Sequence, residues 1–364
     1  MLQPHLFKRI ACFFAAGTLL LTACDPKENA TPAGKYENGV LIVNEGPFNN
    51  GIGTVSYFNR STKTVENDIF GTTNGRPLGN LVQSLSIHNG KAYVVVNNSA
   101  KVEIADAKDF TSVGVINGLA QPRYFLGLTD QKAYVTQWGA DGLTGSVAVV
   151  DLETSSVTKT IPTGRGPERL LNVQGTVYVV CGGGYGVDNR VTVIDADSDA
   201  VITNITVGDS PNSIQLDANY NVWVSCGGRK VFNNPSQNTA GSLVRINTES
   251  SLHLPANQVQ GTLPFSDVNG APEEMTINKA RNILFYTFGG KVYRQDVNSN
   301  TLNPTPVINR SFYGLGIDPA DDVLYAADAG DYNSNGKVIR YNSSTGAPLD
   351  SVQVGIIPSE FTFR

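Results

Sequence analysis

The chain repeats one short pattern seven times, and this repeat constrains the fold more than any other feature. In each copy two or three β-forming residues precede an Asp or Asn, and a Ser or Thr usually follows three positions later. Successive copies lie 44 to 52 residues apart. An Asx side chain at such a position can bond the backbone amide two residues on, which closes a tight turn between two strands. The seven Asx residues are Asn59, Asp106, Asp151, Asp195, Asn247, Asp296 and Asn342.

A strand-like segment precedes each of these turns. Residues 91–97 and 176–181 have the period-two pattern and the β-branched content of strands, and no segment after the leader has a convincing helical periodicity. Residues 40–364 divided by seven give about 46 per unit, which is the length of a β-propeller blade with four short strands. We therefore predict an all-β fold, a seven-bladed β-propeller with four-stranded blades.

The C-terminal segment is predicted to close the ring. Residues 358–364 resemble the opening strand of other units, such as 167–171 and 211–215, and the first unit lacks that strand. The C-terminus is therefore expected to supply the innermost strand of blade one, which would hide sheet edges that otherwise pair with other chains.

The first 23 residues are typical of a lipoprotein signal peptide. Lys8 and Arg9 precede an apolar run over residues 10–21 that is too short for a permanent membrane span, and the run ends in Leu-Thr-Ala before Cys24. We predict lipidation of Cys24, a flexible tether over 24–39 and anchoring in the outer membrane; a secreted protein with a chance cysteine is the alternative. The acidic start of the tether resembles the surface-export signal of Bacteroidetes lipoproteins, which implies display on the cell surface.

Composition argues against several classes of function. The chain has 27 Lys and Arg against 32 Asp and Glu, whereas nucleic-acid binding needs a basic face, so no nucleic-acid partner is expected. With three His in total, histidine-based metal sites and catalytic triads are improbable, and we predict neither an enzyme nor a catalytic cofactor. Metal-dependent catalysis on the axis is an alternative, for which the candidate ligands are Glu168, Glu273, Glu274 and Glu360.

Long, variable loops are predicted at one end of the ring. In a blade whose strands run outward from the axis, the connections from second to third strand and from one blade to the next emerge at the same end. The long loops cover residues 44–53, 137–145, 181–190, 226–241 and 328–336. Such loops on a rigid scaffold commonly bind ligands, although they can also be tolerated insertions. They carry Phe48, Trp138, Tyr185, Arg229 and Tyr332.

The innermost strands are expected to place polar residues at the mouth of the central channel. A ring of mixed sign offers donors and acceptors to a neutral or zwitterionic ligand rich in amides, or it only hydrates the channel. One register holds Gln83, Arg123, Glu168, Asn212, Glu273, Tyr313 and Ser359. The neighbouring register holds Ser84, Tyr124, Arg169, Ser213, Glu274, Gly314 and Glu360.

Three further sequence features are weaker signals of function. Asp331 to Gly336 matches the first half of a calcium loop, but Asn342 stands where a Glu is expected, so calcium and a solvated loop both remain open. Cys181 and Cys226 occupy equivalent places in adjacent blades, where the spacing favours two buried thiols over a disulfide. His88 is expected at the opposite end from the long loops.

The Lys132-Ala-Tyr-Val-Thr136 segment and the repeated Val-Ile-Asp turns resemble the seven-bladed YVTN-repeat propellers. A narrower resemblance is to the Bacteroidetes surface lipoproteins that capture cobalamin and sit over the outer-membrane vitamin B12 transporter. The segments that carry it are Val43-Asn-Glu-Gly46, Arg76-Pro-Leu-Gly79 with Gln83-Ser84, Val96-Asn-Asn-Ser99 and Pro122-Arg-Tyr124.

This resemblance implies a monomeric lipoprotein that binds cobalamin and passes it to a TonB-dependent transporter in the outer membrane. Corrin amides would be bonded by some of Asn44, Gln83, Asn98, Arg123 and Asn212, and Tyr124, Trp138 or Tyr185 would pack on a ring. By position we add Glu168, Glu273, Tyr313 and Tyr332 to the predicted ligand-binding residues. An adhesion or scaffold propeller that binds a protein or a glycan is the alternative function.

Overall fold

The structure is a computed structural model that describes residues 34–48, 51–248 and 258–364. The predicted signal peptide and Cys24 therefore lie outside the described residues. Residues 34–364 form one compact unit, and its sheets are the seven blades of a propeller. The packed part of the chain begins a few residues before Val40, the predicted start of the propeller. Tyr36 is buried there against Tyr57 and Phe110.

Six blades are regular meanders of four antiparallel strands. Blade two contains β5 (Val82–His88), β6 (Lys91–Val96), β7 (Lys101–Asp106) and β8 (Ser112–Ile116). Blade three contains β9 (Pro122–Gly127), β10 (Lys132–Gln137), β11 (Ser146–Asp151) and β12 (Ser156–Pro162). Blade four contains β13 (Pro167–Val173), β14 (Thr176–Cys181), β15 (Arg190–Asp195) and β16 (Ala200–Thr206). Blade five contains β17 (Pro211–Leu216), β18 (Asn221–Cys226), β19 (Ser242–Asn247) and β20 (Val259–Pro264). Blade six contains β21 (Met275–Ile277), β22 (Ile283–Phe288), β23 (Lys291–Asp296) and β24 (Pro306–Ile308). Blade seven contains β25 (Gly314–Ile317), β26 (Val323–Asp328), β27 (Asn335–Asn342) and β28 (Pro348–Ile356).

Blade one joins both ends of the described chain, as predicted. Its own strands are β1 (Gly39–Asn44), β2 (Ile52–Asn59), the two-residue β3 (Val65–Glu66) and β4 (Gly79–Asn80), and its innermost strand is β29 (Pro358–Phe363). β29 pairs antiparallel with β1, with Phe361 opposite Ile42 and Glu360 opposite Val43. The C-terminal strand therefore closes the ring.

The Asx turns were predicted correctly at six positions. Each side-chain oxygen accepts a hydrogen bond of 2.7 to 3.1 Å from the backbone amide two residues on. The six are Asn59, Asp106, Asp151, Asp195, Asp296 and Asn342. The loop that follows the seventh, Asn247, enters the part of the chain that the structure does not describe.

The expectation of no helix was wrong in blade one, where α1 (Ile69–Asn74) follows the short outer strand. Asp68 caps the helix because its side chain accepts a hydrogen bond from the Gly71 amide. Ile69 and Phe70 are buried, so this short helix covers the core of blade one, whose outer strand β3 has two residues. A six-residue helix is too short to produce a visible period in the sequence. A 3-10 turn (Pro235–Gln237) also lies in the long loop of blade five.

Apolar clusters fill the spaces between neighbouring blades. Tyr93 of blade two stacks on Phe125 of blade three at 4.0 Å between ring centroids, and Phe58 of blade one meets Tyr325 of blade seven edge to face at 6.0 Å. Because each sheet is covered on both faces by its neighbours, the middle strands read as continuous Val and Ala runs.

Ring closure brings β29 very close to β25 of blade seven. A Cβ added to Gly314 would lie 1.9 Å from the carbonyl oxygen of Ser359. Arg60 of blade one also pairs with the buried Asp318 of blade seven, with Nη2 to Oδ1 at 3.0 Å, and donates to the carbonyl oxygen of Arg364. Blades one and seven are therefore held together by backbone contact and by an ion pair.

We predict that Gly314→Ala lowers the free energy of unfolding by about 1–3 kcal/mol, because the new methyl group must push β29 outward. Urea unfolding of the whole chain measures this change. Gly261→Ala is the matched control in a strand, since the atom nearest to its added Cβ is Nη2 of Arg245 at 3.8 Å. An equal loss in both variants would refute this role of Gly314.

Candidate functional site

The innermost strands begin with β-bulges that turn two successive side chains toward the axis. In blade two, Gln83 is the extra residue between the pairs Val82–Val96 and Ser84–Val95. The same shift occurs at the start of β9, β13 and β17 and at the ring-closing strand β29. Bulges commonly re-aim side chains next to binding sites. Both predicted registers therefore contribute to the channel mouth, instead of one facing the axis and the other packing behind it.

We call the mouth of the channel the axial funnel; it consists of two adjoining cavities. The inner cavity has a volume of about 280 Å³ and the outer one about 420 Å³, and they share Arg123, Tyr124, Arg169, Glu273 and Glu274. The inner cavity adds Glu45, Gln83, Tyr313, Ser359 and Glu360. The outer cavity adds Trp138, Glu168, Asn212 and Lys230 together with Gly182, Gly184, Gly227 and Gly228 from two long loops.

Arg123 organises the wall between blades two and four. Its Nε donates to Oε2 of Glu168 at 3.0 Å, and its Nη1 donates to Oε1 of Gln83. Its guanidinium lies 4.4 Å from the centre of the Trp138 ring, and Trp138 Nε1 donates to the other Glu168 oxygen at 3.1 Å. The Glu168 carboxylate thus holds both the Arg123 guanidinium and the Trp138 indole in place. Together they form a rigid wall that presents an aromatic ring and hydrogen-bonding groups.

Arg169 organises the opposite part of the inner cavity. Its Nη1 donates to Oε1 of Glu360 at 2.7 Å, and its Nη2 lies 3.4 Å from Oε2 of Glu274. The guanidinium also lies 4.7 Å from the centre of the Tyr124 ring. The two arginines therefore repeat one arrangement, in which each is held by carboxylates and stacked on an aromatic ring.

Carboxylates outnumber cations in the funnel. Burial raises the pKa of Glu45 to about 7, partly opposed by the Tyr313 hydroxyl and by Arg123. Burial also raises the pKa of Glu274 to about 7, partly opposed by Arg169. A raised carboxyl pKa means that part of the population is protonated at neutral pH and can donate a hydrogen bond. The funnel contains both acidic and basic side chains, as predicted, and the acidic ones are in excess. The acidic residues are Glu45, Glu168, Glu273, Glu274 and Glu360, and the basic ones are Arg123, Arg169 and Lys230.

Two aromatic pairs flank the funnel. Trp138 meets Tyr185 edge to face at 5.5 Å, and the Tyr185 hydroxyl lies 3.3 Å from Oε1 of Gln121. Tyr313 meets Tyr332 edge to face at 5.6 Å, and Tyr313 donates to Oε2 of Glu45 at 3.1 Å. The structure thus brings these four predicted aromatic residues to the same end of the ring as the polar mouth.

Four predicted ligand-binding residues line neither cavity of the funnel: Tyr185 and Tyr332 flank it, whereas Asn44 and Asn98 take other positions. Asn44 is fully buried at the end of β1, where its amide nitrogen lies 2.9 Å from the Ser56 hydroxyl, so no ligand can reach it. Asn98 is exposed and lies outside both cavities, with its amide 3.3 Å from Oδ1 of Asn80. Asn212 does line the outer cavity and donates to the carbonyl oxygen of Pro272 at 2.8 Å. Glu45 was missed, although it lies inside the Val43–Gly46 segment that carried the resemblance.

The weaker signals take ordinary structural roles. Cys181 and Cys226 are buried free thiols that form no disulfide, as the sequence analysis predicted. The Asp331 carboxylate accepts hydrogen bonds from the amides of Asn333 and Ser334, which closes the loop as an Asx turn. Within 34–48, 51–248 and 258–364 no cluster of three or more His, Cys, Asp or Glu side chains is arranged to hold a metal ion. No helix in those same ranges is long and apolar enough to cross a membrane.

Comparison with known proteins identifies the family and the fold. A family described as "Domain of unknown function (DUF5074)" matches residues 38–363. No curated protein matches the chain. The resemblance to YVTN-repeat propellers and the narrower resemblance to cobalamin-capturing lipoproteins both stay predictions.

Three solved structures illustrate the likeness in fold. A quinoprotein alcohol dehydrogenase-like protein from Bacteroides thetaiotaomicron is 17% identical with a TM-score of 0.65, over 90% of this chain and 78% of that one. The hydrazine synthase of Kuenenia stuttgartiensis is 16% identical with a TM-score of 0.61, over 87% and 99%. A functionally unknown protein from Desulfotomaculum acetoxidans is 14% identical with a TM-score of 0.61, over 89% and 99%. At such identities the likeness concerns the fold alone.

The double role of Glu168 gives a direct test of the funnel geometry. Glu168→Ala removes the acceptor of both Arg123 and Trp138, so we expect greater mobility of the indole and a loss of about 1–3 kcal/mol of stability. Acrylamide quenching of tryptophan fluorescence reports Trp138, since Trp223, the other tryptophan, is buried. Glu273→Ala is the control elsewhere in the outer cavity, since Glu273 lies just before β21 of blade six, and quenching that rises equally in both variants would contradict the geometry.

Proposed function

The chain belongs to the DUF5074 family, and we propose that it is a non-catalytic propeller that captures a large, flat, amide-rich ligand at the axial funnel. The observation that carries the proposal is the commitment of both funnel arginines to carboxylates and aromatic rings. Such fixed groups present ring faces and hydrogen-bonding edges at little entropic cost on binding.

A corrinoid such as cobalamin is the ligand that we propose. The resemblance of the Val43–Gly46 and Pro122–Tyr124 segments to cobalamin-capturing lipoproteins motivates this choice. The two cavities together have a volume typical of a site for a small molecule, and they open toward the rim, so a larger ligand can extend outward. Partly protonated Glu45 and Glu274 offer donors to amide oxygens, while the other carboxylates offer acceptors to amide nitrogens.

We further propose that the protein is anchored by a lipid on Cys24, displayed at the cell surface as a monomer, and passes its ligand to a TonB-dependent transporter. The support is the lipoprotein-like leader and the acidic start of the tether. Several acyl chains on one cysteine give stable anchoring, whereas a single chain binds membranes marginally.

An adhesion or scaffold propeller is the second candidate. Its support is the exposure of aromatic tips on the rim loops, where Phe48, Tyr185 and Phe232 are 78%, 72% and 96% exposed. Exposed aromatic residues of this kind commonly anchor protein interfaces.

Calorimetric titration with cyanocobalamin tests the proposed ligand. We expect saturable binding of one molecule per chain, and Trp138→Ala should weaken it by about tenfold because the ring face is lost. Tyr220→Ala is the control, since Tyr220 is a half-exposed tyrosine in a turn at the opposite end of the ring. Absence of both heat and thermal stabilisation at micromolar ligand would overturn the corrinoid proposal.

Fractionation of cells that express the full chain tests the anchor and the partner. Cys24→Ala should move the protein from the outer-membrane fraction to the soluble fraction, because the thiol that carries the lipid is gone. Capture of the wild-type protein from solubilised outer membranes should bring a TonB-dependent transporter as the main partner. Recovery of a different receptor or of a glycan would instead favour the adhesion candidate.

A further inference from the structure

A separate cavity of about 450 Å³ lies beside the funnel, between blades one and seven. It shares Glu45 and Tyr313 with the inner funnel, but its other walls belong to the rim. The residues that matter for its chemistry are Glu45, Pro47, Phe48, Tyr313, Tyr332 and Ile357.

Three aromatic side chains line this cavity and remain open to solvent. Tyr332 is 51% exposed and Tyr313 is 37% exposed, and their rings stand almost perpendicular, with an interplanar angle of 83°. Phe48 is also largely exposed. Exposed ring faces cost free energy in water, and because the face of an aromatic ring is electron-rich it attracts cations.

A carboxylate lies at the inner end of the same cavity. Tyr313 donates to Oε2 of Glu45, yet no Lys or Arg in the described ranges lies within ion-pair distance of this carboxylate. The other charged groups that act on Glu45 are Arg123, Glu274 and Glu360, and the two glutamates make the surroundings more acidic. A neutral ligand would bury the ionised form of this carboxylate further without compensating its charge, which is costly.

We infer that this cavity binds a quaternary ammonium group or a substituted, protonated amine, with Tyr313, Tyr332 and Phe48 around the cation and Glu45 as its counter-charge. Alkyl groups on the nitrogen would pack against Pro47 and Ile357. A bare, strongly hydrated ammonium ion would lose more hydration than these contacts return. The inference goes beyond the proposed function, since it needs no ligand in the funnel.

Titration of the full chain with choline tests this site, and 3,3-dimethyl-1-butanol serves as the neutral isostere. We expect saturable choline binding by calorimetry and at least about tenfold weaker binding of the alcohol, because the counter-charge and the ring faces favour only the cation. Glu45→Gln should weaken choline binding by at least about tenfold and leave the thermal midpoint close to wild type. Tyr332→Leu should weaken it by about fivefold through the loss of one ring face.

The pH dependence gives a further readout. Burial holds the pKa of Glu45 at about 7 in the free protein, and only the ionised form attracts the cation, so affinity should rise between pH 6 and pH 8. Glu45→Gln should remove that rise. Glu153→Gln and Tyr220→Leu are the matched controls, since both residues lie in turns at the opposite end of the ring, and both should bind choline as the wild type does.

The inference is overturned if choline binds no better than its neutral isostere, or if Glu45→Gln and Tyr332→Leu both leave choline binding unchanged. Cyanocobalamin titrated into the same preparation separates the two proposals, because either ligand can bind without the other.

Discussion

The pairing of β29 with β1 is the contact on which the rest of the structure depends. It joins the two ends of the described chain, covers the inner edge of β1, and turns a row of seven sheets into a ring. The same strand carries Ser359 and Glu360 into the funnel, and Glu360 is the closer of the two carboxylates that hold Arg169. Ring closure therefore also completes the site, because an open ring would lack the part of the inner wall that β29 supplies and the closer carboxylate partner of Arg169.

The charge distribution in the funnel follows from the crowding of polar side chains at the axis. Seven innermost strands converge on one axis, and five of them bulge so that extra polar side chains enter a narrow space. Buried ion pairs contribute little net stability because desolvation offsets their attraction, but they fix orientation. The contacts of Arg123 and Arg169 are thus better understood as positioning contacts. The acidic excess that remains favours ligands that donate hydrogen bonds or carry positive charge.

Much of the architecture could be predicted from the sequence because it rests on local chemistry. Asx turns, β-branched strands and a constant repeat length are visible without knowledge of distant contacts, and the C-terminal strand could be matched to its equivalents. α1 could not be predicted, since its stability comes from the burial of Ile69 and Phe70 and from one capping aspartate. The missing information was the burial that tertiary packing gives to these two side chains.

The candidate site could likewise be predicted from the sequence only in part. The polar residues at the channel mouth, Arg123 and Glu168 among them, could be predicted because each lies at the same position within its repeat. Asn44 was misplaced because it ends a middle strand, where side chains pack toward the next blade, and it lies against Gly355 of blade seven. Glu45, one position later, is the residue that reaches the cavity. A one-residue distinction of this kind depends on the bulge between β1 and β29, which no sequence period reveals.

The long loops of blades three and four contact each other through their backbones, which bears on whether they are binding elements or tolerated insertions. The amide of Tyr185 donates to the Gly142 carbonyl at 3.0 Å, which links the loops of blades three and four. Gly184 adopts a φ of +59°, and an added Cβ there would lie 2.2 Å from that same carbonyl oxygen. Backbone contact this close needs glycine on conformational and steric grounds alike. Tolerated insertions have no need of such mutual fit, whereas a binding surface gains affinity from it because little ordering remains when the ligand arrives. This contact therefore indicates a rigid rim at blades three and four, where Trp138 and Tyr185, which meet edge to face, are held in place before any ligand binds.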